Sequence, residues 1–179
     1  LKQTLLSAEF KGAVRVAVIG TAGRQDDAKR VQGSAFAWML DKTRQQLASW
    51  KLSNRQITLV SGASAWADHV AVRLFLEAAK TDDPFAGLQL HLPCAFDDNR
   101  KLFDPQNRSG ATLNSLHRQC SSACNFNSLS DIASARELGA ELTVHKGGFL
   151  ARNTHVAKAD RVIAFTFWPG NPTDRKSVV

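Results

Sequence analysis

The chain has 179 residues, 44% of them hydrophobic and 22% charged, with a formal net charge of +7. That is the size of one domain able to bury about 70% of its unfolded surface, and the balance excludes a disordered or fibrous chain. No run approaches the ~18 apolar residues of a membrane helix, positions 1–10 carry no signal-peptide pattern, and three cysteines suit free thiols in a reducing compartment, so a cytoplasmic protein without membrane attachment is expected.

Taken in order, residues 2–11 read as a lead-in turn or short helix. Arg15-Val16-Ala17-Val18-Ile19 then forms an apolar run that stops abruptly at Gly20-Thr21-Ala22-Gly23-Arg24. Such a run marks a strand buried on both faces, as in a parallel sheet covered by helices. Glycine after it tolerates positive φ and lets the backbone approach a ligand. From Ala28 the positions Val31, Ala35, Trp38, Met39, Leu47 and Trp50 keep helical spacing to about residue 50. A second strand, residues 56–60, ends in the small-residue loop Ser61-Gly62-Ala63-Ser64. Ala67, Val70, Ala71, Leu74, Phe75, Ala78 and Ala79 give a strongly amphipathic helix, stopped by Thr81-Asp82-Asp83-Pro84. A third strand spans 88–92, and the polar stretch 94–110 reads as a long loop. Helices are expected at 111–120 and 129–138, the second behind a Ser128-x-x-Asp131 capping pattern and ended by Gly139. A short strand at 142–145, a helix at 150–158, a strand at 161–167 and a loop at 168–172 complete the pattern.

This alternation predicts a single α/β, Rossmann-like domain over 1–179, with a mainly parallel sheet and helices on both faces. Phe36, Trp38, Trp50 and Phe75 fall on helices and belong to its core. Loops after Ile19, Val60 and Phe167 converge beyond the carboxyl ends of the strands, where such sheets bind ligands. The basic residues are scattered, which suits a phosphate-bearing small molecule; nucleic-acid binding is permitted rather than indicated, and a homo-oligomer is compatible with the sequence. Neither a dinucleotide G-x-G-x-x-G nor a P-loop occurs, and Ser61 is not in a G-x-S-x-G elbow. The candidate ligand-binding residues are Gly20, Thr21, Gly23 and Arg24, then Ser61, Gly62, Ala63 and Ser64, then Arg152, Asn153, Gly170 and Thr173. Asp68 either stabilises the start of its helix or faces the crevice, where it would hold a ribose hydroxyl or act on a glycosidic carbon. His117-x-x-Cys120-x-x-x-Cys124 falls short of a four-ligand zinc set, so neither metal nor cofactor is expected.

Gly20-Thr21-Ala22-Gly23-Arg24, the stretch from Leu59 to Asp68, and Arg152-Asn153 ahead of the 159–165 segment occur in an order that resembles the SLOG superfamily. These Rossmann-like domains include the DNA-processing protein DprA, the LOG cytokinin-activating phosphoribohydrolases and the ADP-ribose-binding domains of TRPM channels. The resemblance implies binding of a nucleotide-derived ligand such as ADP-ribose, NAD or a nucleoside monophosphate. Its alternatives are N-glycosidase or phosphoribohydrolase action on that ligand, with Asp68 catalytic, and DprA-like binding of single-stranded DNA. Where the LOG enzymes carry Pro-Gly-Gly-x-Gly-Thr-x-x-Glu, this chain reads Trp168-Pro169-Gly170-Asn171-Pro172-Thr173-Asp174, without the double glycine or the Glu.

Overall fold

Side chains alternate along a strand, so the apolar run Val14–Gly20 (β1) serves two faces at once: Val16 and Val18 enter one core, Ala17 and Ile19 another. The computed structural model describes residues 12–166. After β1 come Gly33–Ser49 (α1), Ile57–Ser61 (β2), His69–Ala78 (α2), Gly87–Leu92 (β3), Phe96–Asp97 (β4), Leu102–Phe103 (β5), Arg108–Cys124 (α3), Ser128–Glu137 (α4), Glu141–Val144 (β6), Gly148–Val156 (α5) and Arg161–Phe165 (β7). The main sheet has five strands in the order β6-β3-β2-β1-β7, all parallel, with Val16 opposite Leu59 and Val18 opposite Ile163. The fold is therefore α/β and Rossmann-like, with helices on both faces of a parallel sheet.

The two faces are covered unequally. Val16, Val18, Leu59, Leu88, Leu90 and Ile163 meet apolar residues of α1 to α4 in the larger core, which includes Phe36 and Phe75. Trp38 and Trp50 pack at the margin of that core. On the opposite face Val156 of α5 lies against Ala17 and Val60, with Ile19 and Val162 beside them. Further along this thinner face His91 Nδ1 lies 2.9 Å from His145 Nε2, and the ring of His155 stacks on His145. Burial, together with these neighbouring imidazoles, lowers His91 to a pKa of about 4, so the group is neutral near neutral pH.

Several expectations are corrected. The stretch 94–110 is not a plain loop. It holds the antiparallel β4–β5 pair, with Phe96 edge-on to Phe103, and the first turn of α3. The Asn114 side chain completes that hairpin by accepting from Phe103 N–H at 2.9 Å and donating to its carbonyl at 2.8 Å. The cap of α4 sits one residue earlier than expected: Asn127 accepts from Ser130 N–H at 3.0 Å, whereas Ser128 is buried inside the helix. Asp131 is free to cross-link helices instead, meeting His69 Nε2 at 3.1 Å and Arg73 Nη1 at 3.3 Å. Residues 25–29 form a separate 3-10 turn, so α1 starts at Gly33. The expected lead-in at 2–11, the end of the last strand at Phe167, the loop 168–172 and the candidates Gly170 and Thr173 lie outside the described residues.

Gly20 ends β1 with φ +145°, and a Cβ there would stand 2.0 Å from the carbonyl oxygen of Phe165 in the neighbouring strand. Gly139 also has positive φ, +98°, but a Cβ there would meet nothing within 4 Å. Gly20→Ala is therefore expected to lower the unfolding free energy by about 2–4 kcal/mol, combining backbone strain with overpacking, and Gly139→Ala by only about 1 kcal/mol. Urea denaturation of the two variants checks the contrast.

Candidate functional site

β1 and β2 end side by side, and each hands the chain to a loop that closes on its own hydrogen bonds. Thr21 N–H donates to the Phe165 carbonyl at 2.8 Å, and Thr21 Oγ1 donates to Asp27 at 2.6 Å while accepting from Gly23 N–H at 3.2 Å. Ser61 Oγ accepts from Ala63 N–H at 3.1 Å and donates to the Asp68 carbonyl at 2.7 Å. Ala63 and Trp66 both adopt left-handed backbone conformations, with φ +52° and +62°. Such strain in L-residues persists only where the surroundings hold it. One such support is His117, whose Nε2 lies 3.1 Å from the Ala63 carbonyl, so that N–H donates to it, while Nδ1 lies 2.9 Å from Ser128 Oγ. Burial, with His69 adding to it, pushes His117 down to about 3, against the opposing effect of the Ala63 bond, so the ring is neutral near neutral pH. His117 is thus engaged in packing the loop, and the metal reading of His117, Cys120 and Cys124 finds no free imidazole nitrogen there.

The loops differ from the expected row of open N–H groups. The N–H groups of Thr21, Gly23, Ala63 and Ser64 are directed to protein acceptors. Ser61, Ala63 and Ser64 are buried and build the scaffold behind the site, while Gly62, also buried, faces the Arg152 guanidinium. Asp68 is the residue on which this scaffold converges. A 3-10 turn, Trp66–Asp68, precedes α2, and the Asp68 side chain turns back from the helix start rather than capping it. Its Oδ2 lies 3.4 Å from Ser64 N and 3.6 Å from Arg152 Nη2.

Arg152 reaches this point from α5. Its Nη1 donates to the Gly62 carbonyl at 2.6 Å, and its Nε and Nη2 donate to Asn153 Oδ1 at 3.1 and 2.9 Å. A Cβ on Gly62 would stand 2.5 Å from the Arg152 guanidinium carbon, so glycine is needed at 62 for the arginine to lie flat against the backbone. Arg152 and Asp68 are exposed by only 8% and 5%. Burial raises the Asp68 carboxyl above its ordinary range, outweighing the opposite pull of Arg152, of the Ser64 and Gly20 N–H groups and of Arg24. Burial likewise lowers Arg152, with Asp68 opposing the change. At the rim the Arg24 guanidinium lies 4.8 Å from the ring centre of Phe149, and the Arg152 guanidinium lies 5.3 Å from the same ring.

Asp68, Arg152 and Asn153 face a cavity of about 410 Å³. Ala17, Ile19 and Val162 supply its apolar floor, Val156 and Ala157 one wall, and Gly20, Gly62, Asp68, Arg152 and Asn153 its polar side. Of the residues singled out from the sequence, those five come together on the cavity itself. Thr21, Gly23 and Arg24 occupy the adjoining loop, and Phe149 was not anticipated at all. A larger cavity of about 480 Å³ lies between α1 and α2, but its Arg44 and Glu77 already pair with each other and no predicted site residue reaches it.

Comparison with known proteins finds a relative in Acanthamoeba polyphaga mimivirus, uncharacterized protein R261, 41% identical over 160 residues that cover 87% of this chain and 83% of the viral one. No family profile matches the chain, and no solved structure matches it.

The pairing of Asp68 with Arg152 makes stability depend on pH in a defined direction. The folded-state pKa of Asp68 lies above the ordinary 3.8, so between about pH 4 and that value the native protein holds a proton the unfolded chain has released, and stability falls as pH rises through this window. The stability of the wild type relative to Asp68→Asn is expected to decline as pH rises from about 4 through the raised folded-state pKa, and to decline more steeply in an Arg152→Leu background. Arg152→Leu itself should cost about 3 kcal/mol or more at neutral pH, because it leaves a buried carboxylate without its counter-charge. Urea unfolding across a pH series measures each difference.

Proposed function

We propose that this chain, which belongs to the same family as the mimivirus protein R261, binds a nucleotide-derived ligand of the ADP-ribose, NAD or nucleoside monophosphate type in the Asp68–Arg152 cavity. The observation that carries this reading is the state of the Asp68 carboxylate. It is buried at the cavity wall, yet its contacts to Ser64 N and Arg152 Nη2, at 3.4 and 3.6 Å, are longer than an ordinary N–H···O distance, with the Gly20 N–H as a further donor. A pair of ribose hydroxyls is the kind of donor such a group accepts. The location supports the same reading, since the cavity lies between the sheet and α5 and reaches Gly20 and Gly62 at the carboxyl ends of β1 and β2, and its size falls within the range of small-molecule sites. Arg152, with Arg24 close enough to act on it electrostatically, supplies charge for phosphate. The resemblance to SLOG domains agrees with this assignment.

A second reading has its own observation. A carboxyl held above its ordinary pKa at the wall of a partly apolar pocket is suited to proton transfer, as an N-glycosidase or phosphoribohydrolase acting on the same ligand would require. The two readings differ in whether the ligand survives.

Calorimetric titration with ADP-ribose, NAD and AMP tests the binding reading. The wild type is expected to bind at least one of them with weak salt dependence, whereas a nucleic-acid partner would show a steep one. Asp68→Asn should weaken that ligand by roughly ten- to a hundred-fold, the loss of one charge-assisted hydrogen bond of about 1.5–3 kcal/mol. Gly62→Val should weaken it too, by displacing Arg152. Unchanged affinity in both variants would place the ligand elsewhere. Overnight incubation followed by product analysis separates the readings: intact ligand supports binding alone, and released base supports hydrolysis.

A further inference from the structure

Phe149 has been given no part in ligand binding so far. It is the second residue of α5, follows Gly147 and Gly148 at φ +109° and +68°, and is only partly buried although its ring packs against the larger core. The helix start around it is open to solvent, the next residue, Leu150, being 80% exposed. Two guanidinium groups attend the ring: Arg152, buried and fixed by the Gly62 carbonyl, and Arg24, exposed on the loop after β1. An exposed arginine over an aromatic face is held weakly, and its long stem lets the charge move at little cost. Arg24 is also near enough to act electrostatically on both Asp68 and Arg152, so a phosphate held by Arg152 lies within its field.

We infer that Phe149 is a stacking platform for the base of the ligand and that Arg24 exchanges between the ring in the free protein and a phosphate in the bound one. This inference rests on the cavity reading above and narrows it: the site selects base-bearing nucleotides over bare sugar phosphates. The exchange costs little because each group left by its partner gains another. The ring trades a cation for the π-face of a base, which every base offers, and the guanidinium trades a ring for an anion it can bind through paired donors. Asp68 and Arg152 would hold the ribose and phosphate portions, leaving the base to extend outward over the rim where Phe149 stands.

AMP and ribose 5-phosphate differ only by the base, and calorimetry with both is the test. The wild type should bind AMP about ten-fold more tightly or better. Phe149→Leu should lose that preference while its affinity for ribose 5-phosphate stays unchanged, and Phe149→Trp should retain the preference. The tryptophan variant also gives a direct signal, since AMP but not ribose 5-phosphate should quench the fluorescence added at position 149. A leucine variant that weakens both ligands equally, or a tryptophan variant without base-dependent quenching, overturns the platform. If the wild type binds the two ligands equally, the platform falls while the cavity reading stands, and if it binds neither AMP nor ribose 5-phosphate, the platform falls and the cavity reading rests on the other nucleotides alone.

Discussion

Arg152 is buried to 8% exposure, and a guanidinium with five N–H donors in such a place must find protein acceptors or destabilise the fold. It finds the Gly62 carbonyl, the Asn153 amide oxygen and the Asp68 carboxylate. Each partner brings its own requirement. Gly62 must lack a side chain for the guanidinium to approach, and the Asp68 carboxylate is turned back against the start of α2. The Ser61 and His117 bonds then hold the loop between them. One buried cation on the last described helix therefore fixes the shape of a loop from the first half of the chain.

The location of this cation follows from the uneven covering of the sheet. Four helices shield the face bearing Val16, Val18 and Leu59, and most of the apolar core lies there. The face bearing Ala17, Val60 and Val162 has α5 among the described helices and small or short side chains beneath it. Alanine and glycine at the strand ends leave volume that larger residues would fill, and the cavity occupies that volume. The asymmetry divides the work of the molecule: one face supplies most of the apolar burial, and the other tolerates buried charge and open space at its carboxyl edge.

Much of this was legible in the sequence because buried parallel strands are largely apolar runs, as in β1, β2 and β7, while β3 shows itself by the alternation of Leu88, Leu90 and Leu92 with Gln89 and His91. The small-residue loops after β1 and β2 were likewise visible as abrupt stops. The β4–β5 pair was not, since strands of two residues carry no periodicity and depend on Asn114, which arrives from a helix. The cap at Asn127 was missed because Asn, Ser and Asp stand so close together that composition alone does not say which one leaves the helix. Asp68 and Arg152 were both singled out, but nothing in a linear pattern joins residues so far apart, and their meeting follows from strand order. Phe149 gave a fainter signal, an aromatic directly after two glycines at a helix start, which reads as an ordinary core residue until Arg24 is placed over it.

The strand order has a consequence for how the molecule is made. β1 lies between β2 and β7, so its second neighbour is the last described strand, and the register joining Val16 to Arg161 spans 145 residues. At a synthesis rate of roughly 5–20 residues per second, β1 leaves the ribosome on the order of ten seconds before β7 exists. During that interval one edge of the nascent sheet is unpaired, and the carboxyl end of β1, where the cavity will form, has no floor on its β7 side. Arg152 is still being translated while Asp68 is already in place. A stalled or shortened chain thus presents an open sheet edge and an acidic group that lacks its guanidinium partner.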